Sequence, residues 1–385
     1  MTWTEEFVKK MPGKIIVLGG GLVGSAIAID LAARYKVTAA DICTESFDKL
    51  RKAHVNTLQA DLSAPGVVSD VIRDYDLVIG ALPGNMGYQT LRSVIEAGKN
   101  IVDISFMPED YFMLDNLAQE RAVTAVVDCG VSPGMGNIIL GYHSARMSVS
   151  HFTCYVGGLP LIREWPFGYK TVFSPMDVLE EYTRPARLVI DGSVVTKEAL
   201  SDIELIDPGR IGILEAWNSD GLRSMIKTMN IPNMVEKTLR YPGTTDYIRM
   251  LRDCGFFSKE PVPVQGQGVR PVDLTAHLIF PLWKLKPGER DMTVMRIIIR
   301  GTENGKEMTY TYDLYDEYDT VTGTISMART TGYTCAAVAT LIMNGRFSHT
   351  GICPPEYIGI PEGKMDSVFE YLRKRNVIYK KYEQK

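Results

Sequence analysis

Apolar residues in the first third of the chain come in short unbroken runs, separated by longer stretches of mixed character. Runs of that length, ended by glycine, proline or an acid, read as buried strands, and the stretches between them as helices. Residues 14–18, 37–40, 54–61, 76–83, 100–104 and 123–127 predict six strands in this way. Strands that alternate with helices make a parallel sheet with right-handed crossovers. After residue 128 a loop dense in glycine and proline runs into a helix over 138–147 and marks a hinge.

From residue 151 the pattern turns β-rich and irregular. Residues 152–156, 169–173 and 187–190 read as strands, with Asp191-Gly192 as a hairpin turn. Residues 234–243 read as a strand or short helix stopped by Pro-Gly, and 245–254 as a helix. Residues 275–283, 293–301 and 307–315 predict an antiparallel set. A small-residue helix over 327–344 is expected to return to the first domain, and an amphipathic helix over 365–379 to fray at its end. With 385 residues the chain is too long for one ordinary core. The expectation is an α/β protein: a Rossmann-type, doubly wound parallel sheet over 1–130, an inserted α+β substrate domain over 131–325, and helices over 326–385 that rejoin the sheet.

The first strand runs into Gly19, Gly21 and Gly24, spaced G-x-G-x-x-G, and then a helix over 25–35. The first glycine makes the tight turn, the second leaves room for phosphates, and the third brings helix and strand together at the helix N-terminus. Asp41 ends the second strand, where a carboxylate accepts hydrogen bonds from ribose hydroxyls and repels a 2′-phosphate. Ile42 and Cys43 follow it with no arginine, so NAD is the expected cofactor. Leu22 and Val23 in the glycine turn belong to the same site, as do Asp61 and the Ala81-Leu82-Pro83 exit of the fourth strand. Asp61 reads equally as a strand-end cap. Asp41, Asp61, Pro83, Asp103 and Asp128 all fall at or near carboxyl ends of strands, where such sheets bind ligands.

Composition narrows the class. The chain is 45% hydrophobic and 23% charged, with net charge −4 and no basic block, which argues against nucleic acid. The first ten residues hold no apolar signal core, and the most apolar window, 15–33, is broken by four glycines and an aspartate, so neither a leader nor a membrane span is expected. Six cysteines without a C-x-x-C pair predict no zinc ribbon, no other metal site and a reducing cytoplasm. The partner is a small molecule, and a homodimer, with β-strands of the inserted domain paired across a two-fold axis, is the default assembly.

Four stretches carry a family resemblance: VLGGGLVGSAIAIDL, DCGVSPGMGN, TLRYPG and TGTISMARTTGY. On these the chain resembles the saccharopine reductase superfamily over nearly its whole length, and within it the L-lysine 6-dehydrogenases. The resemblance implies a Rossmann domain with an inserted α+β catalytic domain. Two departures favour lysine over saccharopine as substrate. Ser132 stands where saccharopine reductases carry an acid in their G-x-D-P-G loop, and Phe106 where they carry tyrosine after the fifth strand.

The implied activity is NAD-dependent oxidation at the ε-carbon of L-lysine, giving the semialdehyde and ammonia. The ε-amine must be neutral when hydride leaves, and its ordinary pKa is about 10.4, so a general base or an alkaline optimum is needed. Asp103 and Asp128 are the candidates for that role, or caps of their loops. Ser132 and Asn137 are substrate-binding candidates that read equally as turn and helix-cap residues. Arg240 is the candidate clamp for the α-carboxylate, with Tyr241 as a pocket wall. Lys170 is a candidate base if desolvated and otherwise a solvated lysine, Glu215 and Asp220 read as contacts to the amine or as loop residues, and Cys129 reads as a pocket wall. Two other functions stay open: a saccharopine dehydrogenase or related amino-acid or polyamine C–N oxidoreductase, for which Arg163, Arg184, Arg187 and Arg223 offer a second cationic cluster, and a non-catalytic NAD-binding redox sensor.

Overall fold

The computed structural model describes residues 13–286 and 288–385. The first ten residues, read above as lacking a signal core, lie outside the described residues. The chain forms two compact units. One comprises residues up to Tyr142 together with Ala328–Asn376, the other His143–Met327 with Val377–Lys385.

The first unit is built on seven parallel strands in the spatial order Gly351–Cys353, Thr124–Val126, Asn100–Asp103, Leu77–Gly80, Lys14–Leu18, Lys36–Asp41, Asn56–Gln59. Winding runs outward in both directions from Lys14–Leu18, so this is a doubly wound Rossmann-type sheet. Its central strands bury every residue from Ile15 to Leu18 and from Leu77 to Gly80, as expected where helices cover both faces. The edge strand Gly351–Cys353 was not foreseen from the sequence; three residues are too few to show a period. The small-residue helix Ser326–Met343 packs by Gly332 on Val23, Ala26 and Ile27 of the first helix, Leu22–Ala32.

The second unit is organised on a nine-stranded sheet. Its spine runs Glu204–Ile206, Leu214–Asn218, Asn233–Arg240, Ser148–Pro160, Asp291–Glu303, Lys306–Glu317, Tyr379–Gln384, and the hairpin Ala186–Ile190 with Ser193–Lys197 joins at Asn233–Arg240. Asp191 and Gly192 turn that hairpin with positive φ, as read from the sequence. Helices Pro175–Thr183, Thr244–Asp253 and Pro271–Trp283 share a core with the sheet through Val178, Tyr182, Trp217, Ile248 and Trp283.

Three expectations fail here. Residues 275–283 are not a strand but the end of helix Pro271–Trp283. Pro271 opens the first turn, Asp273 favours the positive end of the dipole, and Val272, Thr275, Ile279 and Trp283 make a buried stripe at helical spacing. Residues 169–173 form no strand and hold only an isolated bridge, Thr171 to Lys284. The tail does not fray: helix Lys364–Arg373 is followed by Tyr379–Gln384, which pairs antiparallel with Lys306–Glu317 from Leu314–Tyr379 to Thr309–Gln384.

Candidate active site

The glycine turn has the contacts its spacing requires. Gly19 has φ +106°, and a Cβ there would collide with the Ala81 carbonyl at the exit of the neighbouring strand. A Cβ on Gly24 would strike the Gly19 carbonyl, so the third glycine sets helix Leu22–Ala32 hard against the turn. Around Gly21 a Cβ would meet nothing within 4 Å. That open side faces a helix start with no side-chain cap and no acid in its first turn, which leaves its N–H groups for an anion. Asp41 reaches back to the turn: Gly20 N donates to its Oδ2 at 2.6 Å, and Cys43 N to its Oδ1 at 2.8 Å. These residues fit a dinucleotide: the uncapped helix start at Gly21 would take the pyrophosphate and Asp41 the ribose. Leu22 and Val23 open the helix, and Pro83 caps the next one, Gly84–Glu96. Leu82 stands half-buried beside Gly19. Asp61 is exposed and accepts from Ser63 N at 3.0 Å and from Ser63 Oγ at 2.5 Å, bonds that hold its carboxyl below the usual range.

Two buried acids stand at the same edge of the sheet. Asp103 ends Asn100–Asp103 directly opposite Gly80. A side chain at Gly80 would occupy the space of the Asp103 carboxylate, so that glycine is what admits the acid. Ser105 N donates to Asp103 Oδ1 at 2.8 Å. Asp128 follows Thr124–Val126 with φ +52°, a left-handed conformation uncommon outside glycine. The Tyr111 hydroxyl, from the short turn Tyr111–Leu114, donates to Asp128 Oδ2 at 2.7 Å. Sequence reasoning missed Tyr111; nothing local links it to the end of the sixth strand. Burial first, and then the Asp128 and Asp103 carboxylates, push the Cys129 thiol far up, so it stays protonated and is no nucleophile.

The loop after Asp128 closes on itself. Gly134 has φ +139° and lies against Gly130, Ser132 precedes Pro133 through a cis bond, and Asn137 accepts from Gly134 N at 3.0 Å. The Asn137 amide also donates to buried Glu356 at 3.0 Å. Asn137 therefore holds the loop, while Ser132 is half-buried.

The remaining candidates lie in the second unit. Arg240 is buried, with its guanidinium carbon 4.3 Å from the Tyr169 ring centre and 5.5 Å from that of Trp217. It donates to Glu181 Oε2 at 3.0 Å, to the Tyr182 hydroxyl at 3.2 Å and to the Leu239 carbonyl at 2.9 Å. A ligand carboxylate at Arg240 would share the guanidinium with Glu181 or displace it. Tyr241 donates to the Pro160 carbonyl at 2.9 Å, under the Arg163 guanidinium. Lys170 is buried with its ammonium 3.1 Å from Glu164 and 3.7 Å from Glu289. Glu215 lies on a strand rather than a loop and caps helix Thr244–Asp253, accepting from Gly243 N at 2.9 Å and Thr245 N at 2.6 Å. Asp220 is held bidentately by Arg187, both bonds 2.8 Å.

Among the described residues no group of three or more His, Cys, Asp or Glu could hold a metal ion, and no helix is long and apolar enough to cross a membrane.

Comparison with known proteins gives the family. The saccharopine dehydrogenase C-terminal domain profile matches residues 130–378, and the saccharopine dehydrogenase NADP binding domain profile matches residues 15–126. The chain belongs to the saccharopine dehydrogenase family. Among relatives, an NADP(+), L-glutamate-forming saccharopine dehydrogenase of Pyricularia oryzae is 26% identical over 282 residues, which span 69% of this chain but 62% of that protein. Its counterpart in Schizosaccharomyces pombe is 21% identical, with 89% of this chain and 93% of that protein covered. The fold matches apo saccharopine dehydrogenase (L-Glu forming) from Saccharomyces cerevisiae with a TM-score of 0.76 at 20% identity, covering 97% and 100% of the two chains. The family places a nucleotide-binding domain at the glycine turn. These relatives carry NADP in their names.

Proposed function

We propose that this member of the family is an NAD-dependent dehydrogenase that oxidises the ε-carbon–nitrogen bond of L-lysine and releases ammonia. The observation that carries the reading is the pair of buried acids, Asp103 and Asp128, at the sheet edge that also holds the glycine turn, followed by a loop with Ser132 where a third acid would stand. A nicotinamide, when bound, takes the hydride from the substrate carbon. The chain's own groups manage the proton and the pose. Asp128, oriented by Tyr111, accepts the proton that frees the ε-nitrogen lone pair. Asp103, at the end of the neighbouring strand, supplies a second carboxylate for the amine. Arg240, in the second unit, is the candidate for a substrate carboxylate, which would displace Glu181 from its guanidinium. Water then hydrolyses the imine to the semialdehyde and ammonia.

The second reading, a saccharopine dehydrogenase that uses NADP, draws on the names of the relatives. One experiment separates the two. Purified protein is assayed for reduced nucleotide at about pH 9–10, near the amine pKa, with each combination of L-lysine or saccharopine and NAD or NADP. Lysine with NAD, accompanied by ammonia, is the expected active pair. Turnover of saccharopine alone, with glutamate as product, assigns the second reading. Nucleotide binding without turnover of any amine assigns a sensor.

A further inference from the structure

Three neighbouring strands of the first unit lead into buried acids at one edge of the sheet. Asp103 ends Asn100–Asp103, Asp128 stands two residues beyond Thr124–Val126, and Glu356 stands three residues beyond the edge strand Gly351–Cys353. Backbone bonds tie the three strand ends together: Val127 N donates to the Cys353 carbonyl at 3.2 Å, and Cys129 N to the Asp103 carbonyl at 3.0 Å. The proposed chemistry uses Asp103 and Asp128 and leaves Glu356 without a task. Glu356 is nevertheless fully buried, and a carboxylate taken out of water costs free energy that its bonds must offset.

Its place is tightly set. The short turn Glu356–Gly359 lies backbone to backbone on helix Met135–Ser144. A Cβ on Gly141 would strike the Glu356 carbonyl, and one on Gly359 the Ile138 carbonyl. That close approach brings the carboxylate to the first turn of the helix, where Asn137 Nδ2 donates to Glu356 Oε2 at 3.0 Å. A carboxylate only accepts, so it takes the amide nitrogen of Asn137 and turns the amide oxygen toward the loop. Gly134 N, which only donates, meets that oxygen at 3.0 Å. Both ends of the Asn137 side chain thus require the same orientation. Gly134 lies in turn against Gly130, and Met135 N donates to the Gly130 carbonyl at 3.1 Å.

We propose that Glu356 is a positioning residue for the amine substrate, which acts through Asn137 to fix the loop 129–137 that presents Ser132. The bond to the carboxylate is charge-assisted and so stronger than one between neutral groups. What the loop contacts rests on the proposed function; the order of the loop does not.

Four variants test the chain of bonds: Glu356→Gln, Glu356→Leu, Asn137→Asp and the double variant N137D/E356Q. Glu356→Gln keeps an acceptor for Asn137. Glu356→Leu removes it, and Asn137→Asp sets two carboxylates against each other. The double variant reverses the bond, with the glutamine amide donating to the new carboxylate, which still accepts from Gly134 N. KM for the amine that the wild type turns over is expected to rise about tenfold in Glu356→Leu and Asn137→Asp, with nucleotide affinity unchanged by fluorescence titration. It is expected to stay within about threefold of wild type in Glu356→Gln and in the double variant. Hydrogen-exchange mass spectrometry of peptides spanning 129–137 needs no turnover and is expected to follow the same order, with faster exchange in the two impaired variants and recovery in the double. A double variant as impaired as Asn137→Asp, or exchange unchanged in all four, overturns the proposal. A lower Tm with KM unaltered in an active enzyme also overturns it and leaves Glu356 to the scaffold. If the wild type turns over no amine, the proposed function falls, and the exchange pattern decides this proposal by itself.

Discussion

The hydroxyl of Tyr111 donates to Asp128 Oδ2 at 2.7 Å, and both side chains are buried. The bond fixes the direction of a carboxylate whose backbone already sits at positive φ. Asp128→Asn is therefore expected to lower kcat/KM for the amine by about 10²–10⁴, with NAD binding retained. Tyr111→Phe keeps the carboxylate and loses the bond; roughly a tenfold fall in kcat is expected, with NAD affinity again unchanged by fluorescence titration. Equal loss of nucleotide binding in both variants would place the pair in the scaffold alone.

Asp41 joins the glycine turn to the second strand through Gly20 N and Cys43 N. Asp41→Ser shortens the side chain and removes the negative charge that the NAD reading sets against a 2′-phosphate. The ratio of kcat/KM for NAD to that for NADP is expected to fall by about tenfold or more, equivalent to roughly 1.4 kcal/mol of discrimination. Steady-state assays with both nucleotides measure it, and a wild type that already prefers NADP contradicts the cofactor reading.

Glu181 occupies the guanidinium that the proposed function assigns to a substrate carboxylate. If the two compete, Glu181→Gln lowers KM for lysine by about threefold to tenfold, the size of a change near 1 kcal/mol, while Tm falls because a buried charge has lost its partner. A lower Tm with KM unchanged would make the pair structural only.

His143 gives a pH prediction. Burial, followed by the nearby Lys381 and Arg146 charges, lowers its pKa from 6.5 to about 3. Its Nε2 lies 2.8 Å from the Tyr312 hydroxyl. The folded state keeps the ring neutral while the unfolded state protonates it below its ordinary pKa. The stability it contributes is present above pH 6.5 and is lost as pH falls toward about 3. His143→Gln should flatten Tm against pH across that window, by thermal melts of both proteins at matched ionic strength.

The legible parts of the chain were those whose physics is local. Gly19, Gly21, Gly24 and Asp41 carry their geometry in their spacing, because a turn, a close helix and a strand end each demand one residue type at one place. Asp191-Gly192 was readable for the same reason. The stretch 275–283 misled because its exposed leucines sit between its buried residues and hide the helical period. Tyr379–Gln384 was invisible because nearly all of it is exposed: its pairing with Lys306–Glu317 makes it a strand, and an edge strand shows no inward face. The Tyr111–Asp128, Asn137–Glu356 and Arg240–Glu181 contacts are tertiary, between residues that no spacing rule connects.

Gly80 and Asp103 are neighbours across two central strands, and the glycine exists to make space for the acid. Two positions far apart in the chain thus behave as a single heritable unit. A side chain at 80 is tolerable only alongside a smaller residue at 103, and a library that varies position 80 while fixing Asp103 will return mostly misfolded members. Because the acid is seated in the sheet, it would travel unchanged through any exchange of the surrounding loops. Under the proposed function the loops are the place to alter which amine is accepted, and the strands the place to leave alone.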